Sequence, residues 1–273
     1  MASLPDGSAD VGLLLSEVPY ATVDTLLRTN KLVREVRMVP QTLVFPHWNV
    51  PWHDLSIVVW SDASNSNRPD KSSTMGIVGG CAPKSILDGA SQQVALITWR
   101  SQKTPRQVLG SNGAEVQAIT EGEDLCFRLR ALLAEMSGEV VDRKNLYQMV
   151  REKTQGALIM DSRGIYDAMT RNVSSLHGLR SGRSGYELAL AVAQSMQIQT
   201  NLRWVNGDRQ LADPLTKGGV AKKMMMQFLA GGQWWAYVRV RPQYAEATVA
   251  GRDDEAVRQP GSPPRGKAPL ALA

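Results

Sequence analysis

Apolar positions recur with two different periods along this chain, and the changes of period divide it. Val23, Leu26, Leu27, Leu32, Val33 and Val36 recur at near-helical spacing, with Arg28, Lys31, Arg34 and Arg37 between them. That spacing predicts an amphipathic helix over residues 21–38, stopped by Pro40. From residue 55 the runs shorten. Leu55 to Trp60, Met75 to Gly80 and Val94 to Trp99 have the length and composition of buried strands, with Gly79, Gly80 and the stretch from Pro83 to Gly89 as turns. Residues 111–136 carry the longest helical pattern, through Ile119, Leu125, Leu129, Leu132 and Leu133. A short strand follows from Gly156 to Met160, then a helix through Ile165, Ala168 and Met169 and another over 184–197. Ile198 to Val205 reads as a strand, and Leu211 to Gly218 as the opening of a last helix that runs to about Leu229.

Three leading strands followed by strands that alternate with helices predict an α/β fold. Its mixed sheet would hold three antiparallel strands, then parallel ones, flanked by helices. Around that domain, expected over 55–230, the chain reads as poorly ordered over 1–20. Residues 21–54 read as a connector helix and a linker anchored by Trp48 and Trp52. A terminal aromatic segment is expected over 231–241, and a disordered tail without periodicity over 242–273.

Composition narrows the function classes. The 273 residues are 43% hydrophobic and 21% charged, enough for a buried core. A net charge of +5 and a pI of about 9.3 favour a polyanionic partner over a small-molecule substrate. Cys81 and Cys126 lack metal-type spacing and read as free thiols of a reducing compartment. No apolar run approaches the roughly 20 residues of a membrane span. The start lacks the basic and long apolar segments of a secretion signal. The expected setting is intracellular, cytoplasmic or nuclear, away from membranes.

Four acids sit at special places in this order. Asp62 follows the first strand, Glu115 lies in the first turn of the long helix, Asp161 ends the fourth strand, and Asp213 opens the last helix. Each admits a local role: Asp62 in a turn, Asp161 and Asp213 as helix caps, Glu115 as part of a helix face. Together they admit another. Strand ends and helix starts of a mixed sheet converge at one edge, and converged carboxylates call for a hard divalent cation. Two such ions roughly 4 Å apart activate water for phosphodiester cleavage.

The local wording around these acids resembles the ribonuclease H region of Ty1/copia-type retroelement polyproteins. The resemblance runs through Trp60-Ser61-Asp62-Ala63, Lys71-Ser72-Ser73-Thr74-Met75-Gly76 and Trp99-Arg100-Ser101-Gln102-Lys103. It continues through Ser111-Asn112-Gly113-Ala114-Glu115 and Met160-Asp161-Ser162. It ends in its most specific piece, Gln210-Leu211-Ala212-Asp213-Pro214-Leu215-Thr216-Lys217. The likeness covers roughly residues 55–230, and the helix at 21–38 is similar to the segment that follows the reverse transcriptase in such polyproteins. Two departures stand out. Gly113 replaces the first acid of the family's Glu-Ala-Glu, and Leu179-Arg180-Ser181-Gly182-Arg183-Ser184 replaces a basic, His-containing segment. Polymerase, integrase and protease motifs are absent from the sequence.

The resemblance implies a ribonuclease H-like sheet and endonucleolytic hydrolysis of the RNA strand of RNA/DNA hybrids. Asp62, Glu115, Asp161 and Asp213 would hold two Mg²⁺ or Mn²⁺ ions, and the products would carry 5′-phosphate and 3′-hydroxyl ends. Ser64, Asn65, Ser111 and Asn112 are the candidates for 2′-hydroxyl contacts in the wide minor groove. Lys103, Arg106, Arg180 and Arg183 are candidates for phosphates, although turn, cap or solvated-surface roles account for each of these singly. His177 is a candidate proton shuttle. His47 and His53 show no ligand spacing, and Trp234, Trp235 and Tyr237 read as packing residues, as do Met224 to Met226. Three alternatives stay open: a catalytically decayed hybrid-binding module, a domain that docks on a reverse transcriptase through the 21–38 helix, and a nuclease of the transposase or integrase kind.

Overall fold

The computed structural model describes residues 5–38, 43, 45–170, 179 and 181–234. Residues 1–4, the 242–273 segment, His177, Arg180, Trp235 and Tyr237 lie outside them.

The start of the chain departs from expectation. Little order is expected before residue 21, yet a 3₁₀ turn at Pro5–Gly7, helix α1 (Ser8–Glu17) and a second 3₁₀ turn at Val18–Tyr20 precede helix α2 (Val23–Met38). Scattered Gly, Pro and Asp hide a helix too short to show a period. Tertiary packing supplies what propensity does not. Asp6, Ser8 and Ala9 are buried, and the Gly12 carbonyl accepts a hydrogen bond of 3.4 Å from the buried Arg68. Arg28 of α2 pairs with Glu17 of α1, which ties the two helices together. The apolar side chains of Val23, Leu26 and Leu27 on α2 stay exposed.

The sheet elements are β1 (Leu55–Ser64), β2 (Thr74–Pro83), β3 (Gln92–Gln93), β4 (Ala95–Lys103), β5 (Gln155–Met160), β6 (Asn201–Trp204) and β7 (Gln233–Trp234). The helices after α2 are α3 (Ser111–Met136), α4 (Leu146–Lys153), α5 (Arg163–Thr170), α6 (Gly182–Gln197) and α7 (Val220–Gly231). Five strands form one sheet in the order β4-β2-β1-β5-β6, while β3 and β7 pair separately. β1 pairs antiparallel with β2 and β2 with β4; β1 pairs parallel with β5 and β5 with β6.

β1 is the centre of the sheet, and its sequence says why. Val58 and Trp60 point into one core with Val78, Leu215, Met225 and Phe228. Ile57 and Val59 point into the other, against Ile119 and Leu125 of α3 and Leu188 of α6. A strand covered on both faces needs a near-continuous apolar run, which residues 55–60 supply with one interruption, Ser56, whose hydroxyl donates to the Ala82 carbonyl at 3.2 Å. Each such side chain fully buried stabilises the fold by about 1.5–3 kcal/mol.

Two further differences have physical causes. The last helix does not start at Leu211. Asp213–Leu215 is a separate 3₁₀ turn, and Gly219, at φ +74°, breaks the chain before α7. Helix α4 escapes the sequence reading because Val150 is its one buried residue, too little for a periodic signal. Trp234 packs edge-on against Phe228 and Met225 is buried, in keeping with their packing assignment. Cys81 and Cys126 are buried and free. Among the described residues, no helix is long and apolar enough to cross a membrane.

Candidate functional site

The parallel pairing of β1 with β5 brings the first two acids together. Trp60 stands opposite Ile159 in the register, so two places further on Asp62 and Asp161 emerge side by side at the carboxyl ends of neighbouring strands. Helix α3 lies across β1 and delivers the third. Glu115 stands one residue past the first turn of α3, not within it, and the Ala63 amide hydrogen-bonds to it. One carboxylate oxygen each from Asp62, Glu115 and Asp161 lie within 4.8 Å of one another.

This convergence is electrostatically costly. Burial, above all, pushes the Asp62 carboxyl up to about 6, and the Asp161 and Asp213 charges add to it against the opposing pull of Lys217 and the Thr216 hydroxyl. Burial also raises Glu115 well above the ordinary range, helped by the Asp62 and Asp161 charges. Asp161 is raised by burial and by Asp213, with Lys217 opposing. Glu115 Oε2 is shut off from solvent and has no hydrogen-bond partner. Buried oxygens of this kind are rare in folded proteins unless a ligand or ion completes them. The donor set therefore fits a divalent cation: hard oxygen ligands, close together, partly protonated for want of positive charge.

Asp213, the fourth acid of the expected set, is not among the converged oxygens. It occupies the first position of the 3₁₀ turn Asp213–Leu215, and its Oδ1 accepts a hydrogen bond from Lys217 Nζ. It is near enough for its charge to raise Asp62 and Asp161. The same short segment holds the site in shape. Thr216 Oγ1 donates to Asp62 Oδ2. Gln210, fully buried, donates through Nε2 to the Ser61 carbonyl at 2.9 Å and accepts from the Ala212 amide at 3.3 Å. The Trp204 indole donates to the Asp161 carbonyl at 2.8 Å.

Gly76 explains how this segment reaches β1. It pairs with Asp62 across the β1–β2 ladder, and a Cβ there would stand 2.7 Å from the Ala212 carbonyl and 2.9 Å from Thr216. Only a glycine leaves room for the Ala212–Thr216 turn above Asp62. Gly113, the departure from the retroelement pattern, has a separate cause. Its Cβ would meet Val108 at 3.0 Å and Ser184 at 3.4 Å, so the position serves close packing of α3 and not the acid cluster.

The expected nucleic-acid contacts have mixed surroundings. Ser64 ends β1, and Asn65 Oδ1 accepts from Ser73 at 3.2 Å. Lys103 pairs with Asp70 at 2.5 Å. Arg106 is half-buried and bound to Glu187, with its Nε 2.9 Å from Oε1. Ser111 and Asn112 open α3, and Arg183 is exposed in the first turn of α6. His53 stands 3.8 Å from Asp54, and Trp48 donates to the Gln93 carbonyl at 3.3 Å; neither belongs to the acid cluster. Thr216, Gln210 and Lys217 escape the functional reading of the sequence, although the Gln210-to-Lys217 run that contains all three is its most specific motif.

The sequence matches no family model and no curated protein. Among solved structures, the chain is similar to the N-terminal RNase H domain of rv2228c from Mycobacterium tuberculosis, solved as a fusion with maltose-binding protein. The identity is 19% and the TM-score 0.37, over 64% of this chain and 96% of that one. It is also similar to the foamy viral protease-reverse transcriptase in complex with RNA/DNA hybrid, at 10% identity and a TM-score of 0.35, over 69% of this chain and 25% of that one. The sheet itself, three antiparallel strands continued by two parallel ones in the order β4-β2-β1-β5-β6, is the ribonuclease H-like mixed sheet that the motifs lead one to expect.

Proposed function

We propose that this chain is a ribonuclease H domain of Ty1/copia-type retroelement origin that hydrolyses the RNA strand of RNA/DNA hybrids at a divalent-metal site. One observation carries the reading. Carboxylates from three chain-distant residues converge within 4.8 Å, and one of their buried oxygens has no protein partner. Asp62, Glu115 and Asp161 would hold the metal, with Asp213 as a further ligand for a second ion. When bound, such ions supply an activated water and neutralise the charge that builds on the leaving 3′ oxygen.

The chain's own residues do the positioning. Thr216 fixes one oxygen of Asp62, the Ala63 amide orients Glu115, and Gln210 holds the turn that carries Asp213 against β1. Ser64, Asn65, Ser111 and Asn112 would read 2′-hydroxyls. Arg183 is open to phosphates; Lys103 and Arg106 would have to leave Asp70 and Glu187 to reach them. A reverse transcriptase domain is the protein partner that this origin implies. The exposed Tyr20, Val23, Leu26 and Leu27 offer it an apolar face.

The test is cleavage of a labelled RNA/DNA hybrid by the purified chain with Mg²⁺ or Mn²⁺. The RNA strand should be cut to 5′-phosphate ends. Asp161→Asn should slow cutting at least ~100-fold, about 2.7 kcal/mol of barrier, with its thermal melt intact. Undiminished cutting by that variant, or cutting in EDTA, would refute the proposal.

A further inference from the structure

We propose that the Lys217 ammonium is a built-in competitor for the second metal ion, so that the site loads one divalent cation at Asp62, Glu115 and Asp161 and a second only by evicting Lys217 from Asp213. The inference rests on the metal-site reading above and adds an order of loading and the residue that sets it.

The geometry separates the four acids into two classes. Three of them converge and enclose an oxygen without a partner, which is a place for one cation. The fourth, Asp213, is already neutralised, because its Oδ1 is bound to Lys217 Nζ four residues along the chain. The Lys217 charge reaches beyond Asp213. It also faces Asp62, Glu115 and Asp161.

Which partner yields is also decided by the structure. Asp213 is 17% exposed and sits in a turn pinned on both sides, by Gln210 to β1 and by Thr216 to Asp62. Lys217 is 50% exposed on a flexible four-carbon stem. A dication arriving at Asp213 therefore meets a fixed carboxylate and a movable ammonium. Two cations cannot share that oxygen without repulsion, so the lysine swings into solvent. The first ion would not have to displace the Lys217–Asp213 pair.

The experiment is a calorimetric titration of the intact chain with Mn²⁺, with folding checked by thermal melt. The wild type should bind one ion tightly and a second more weakly. Lys217→Met should tighten the second step about tenfold and the first by clearly less, whereas Lys217→Arg, which keeps the charge, should leave the second step weak. Asp213→Asn should remove the second step alone, which keeps the inference testable should Lys217→Met fold poorly. Two equal steps in the wild type, or a second step indifferent to Lys217→Met, would overturn this inference and leave the proposed function standing. No Mn²⁺ bound by the wild type would overturn the metal site itself, and this inference with it.

Discussion

Near its two ends, helix α3 carries Glu115 and Arg130, two ionisable side chains that the fold treats in opposite ways. Glu115 near its start belongs to a cluster of acids crowded together with an oxygen left unpaired. Arg130, roughly 20 Å further along the axis, is 1% exposed and fully engaged. Its guanidinium donates to Thr154 Oγ1 and Thr200 Oγ1 at 3.3 and 3.2 Å. It also donates to the carbonyls of Val150, Thr154 and Ile198 at 3.1, 2.8 and 3.0 Å. Those partners come from α4, the turn before β5, and the turns after α6. Arg130 is a clasp between elements, complete in itself. The acid cluster is incomplete without something the protein does not supply. A buried charge whose bonds are satisfied by protein marks structure; one whose bonds are not marks a ligand site.

Three measurements would break or sharpen that contrast. The largest effect belongs to the clasp. Arg130→Ala takes their guanidinium donor from the Thr154 and Ile198 carbonyls and leaves a cavity behind, and should cost about 4 kcal/mol in urea unfolding, with no rescue by Mg²⁺. A loss below about 1 kcal/mol would mean that Arg130 does not bind these elements together.

The next effect has the opposite sign. Asp62 holds its proton to about pH 6 in the folded chain, whereas an unfolded Asp releases it near pH 3.9. Between those values the folded state binds more protons, so this group makes the ion-free protein lose stability as pH rises through the window. Asp62→Asn removes that penalty. Without metal, the variant should be more stable than wild type by about 2 kcal/mol at pH 8, and by much less at pH 4.5. A destabilised variant at pH 8 would show that Asp62 serves the fold and not a site.

The smallest effect concerns Glu123, which lies on α3 between the two centres. Burial raises it to about 7, helped by Asp124 and opposed by Arg130. Its stability penalty appears as pH rises from the ordinary Glu value of about 4.3 towards 7. Glu123→Gln should therefore stabilise the protein at pH 8 by about 1 kcal/mol, and should leave hybrid cutting unchanged. Destabilisation at pH 8 would instead assign Glu123 to the clasp as a partner of Arg130.

The parts legible in the sequence are those with strong local signals. The run Leu55–Trp60 reads as a buried strand and 111–136 as a long helix, and both form. The acids Asp62, Glu115 and Asp161 stood out because each lies near the end or the start of such an element, although β1 runs on past Asp62 to Ser64. Elements with weak periodicity were illegible: α1 amid glycines, and α4 with its single buried side chain. Arg130 was illegible for another reason. An arginine in a helix reads as solvated surface until the strands and turns that surround it are known.

The pattern of residues by itself determined the strongly periodic elements, their order and the acids near their ends, because period, turn residues and strand composition are local properties. Only the tertiary structure decided which carboxylates meet. Parallel pairing sets Asp62 beside Asp161, the missing side chain of Gly76 lets the Asp213 turn approach, and Asp213, paired with Lys217, stays outside the trio. Distances between chain-distant charges are set by packing and register, and neither is written in any one segment.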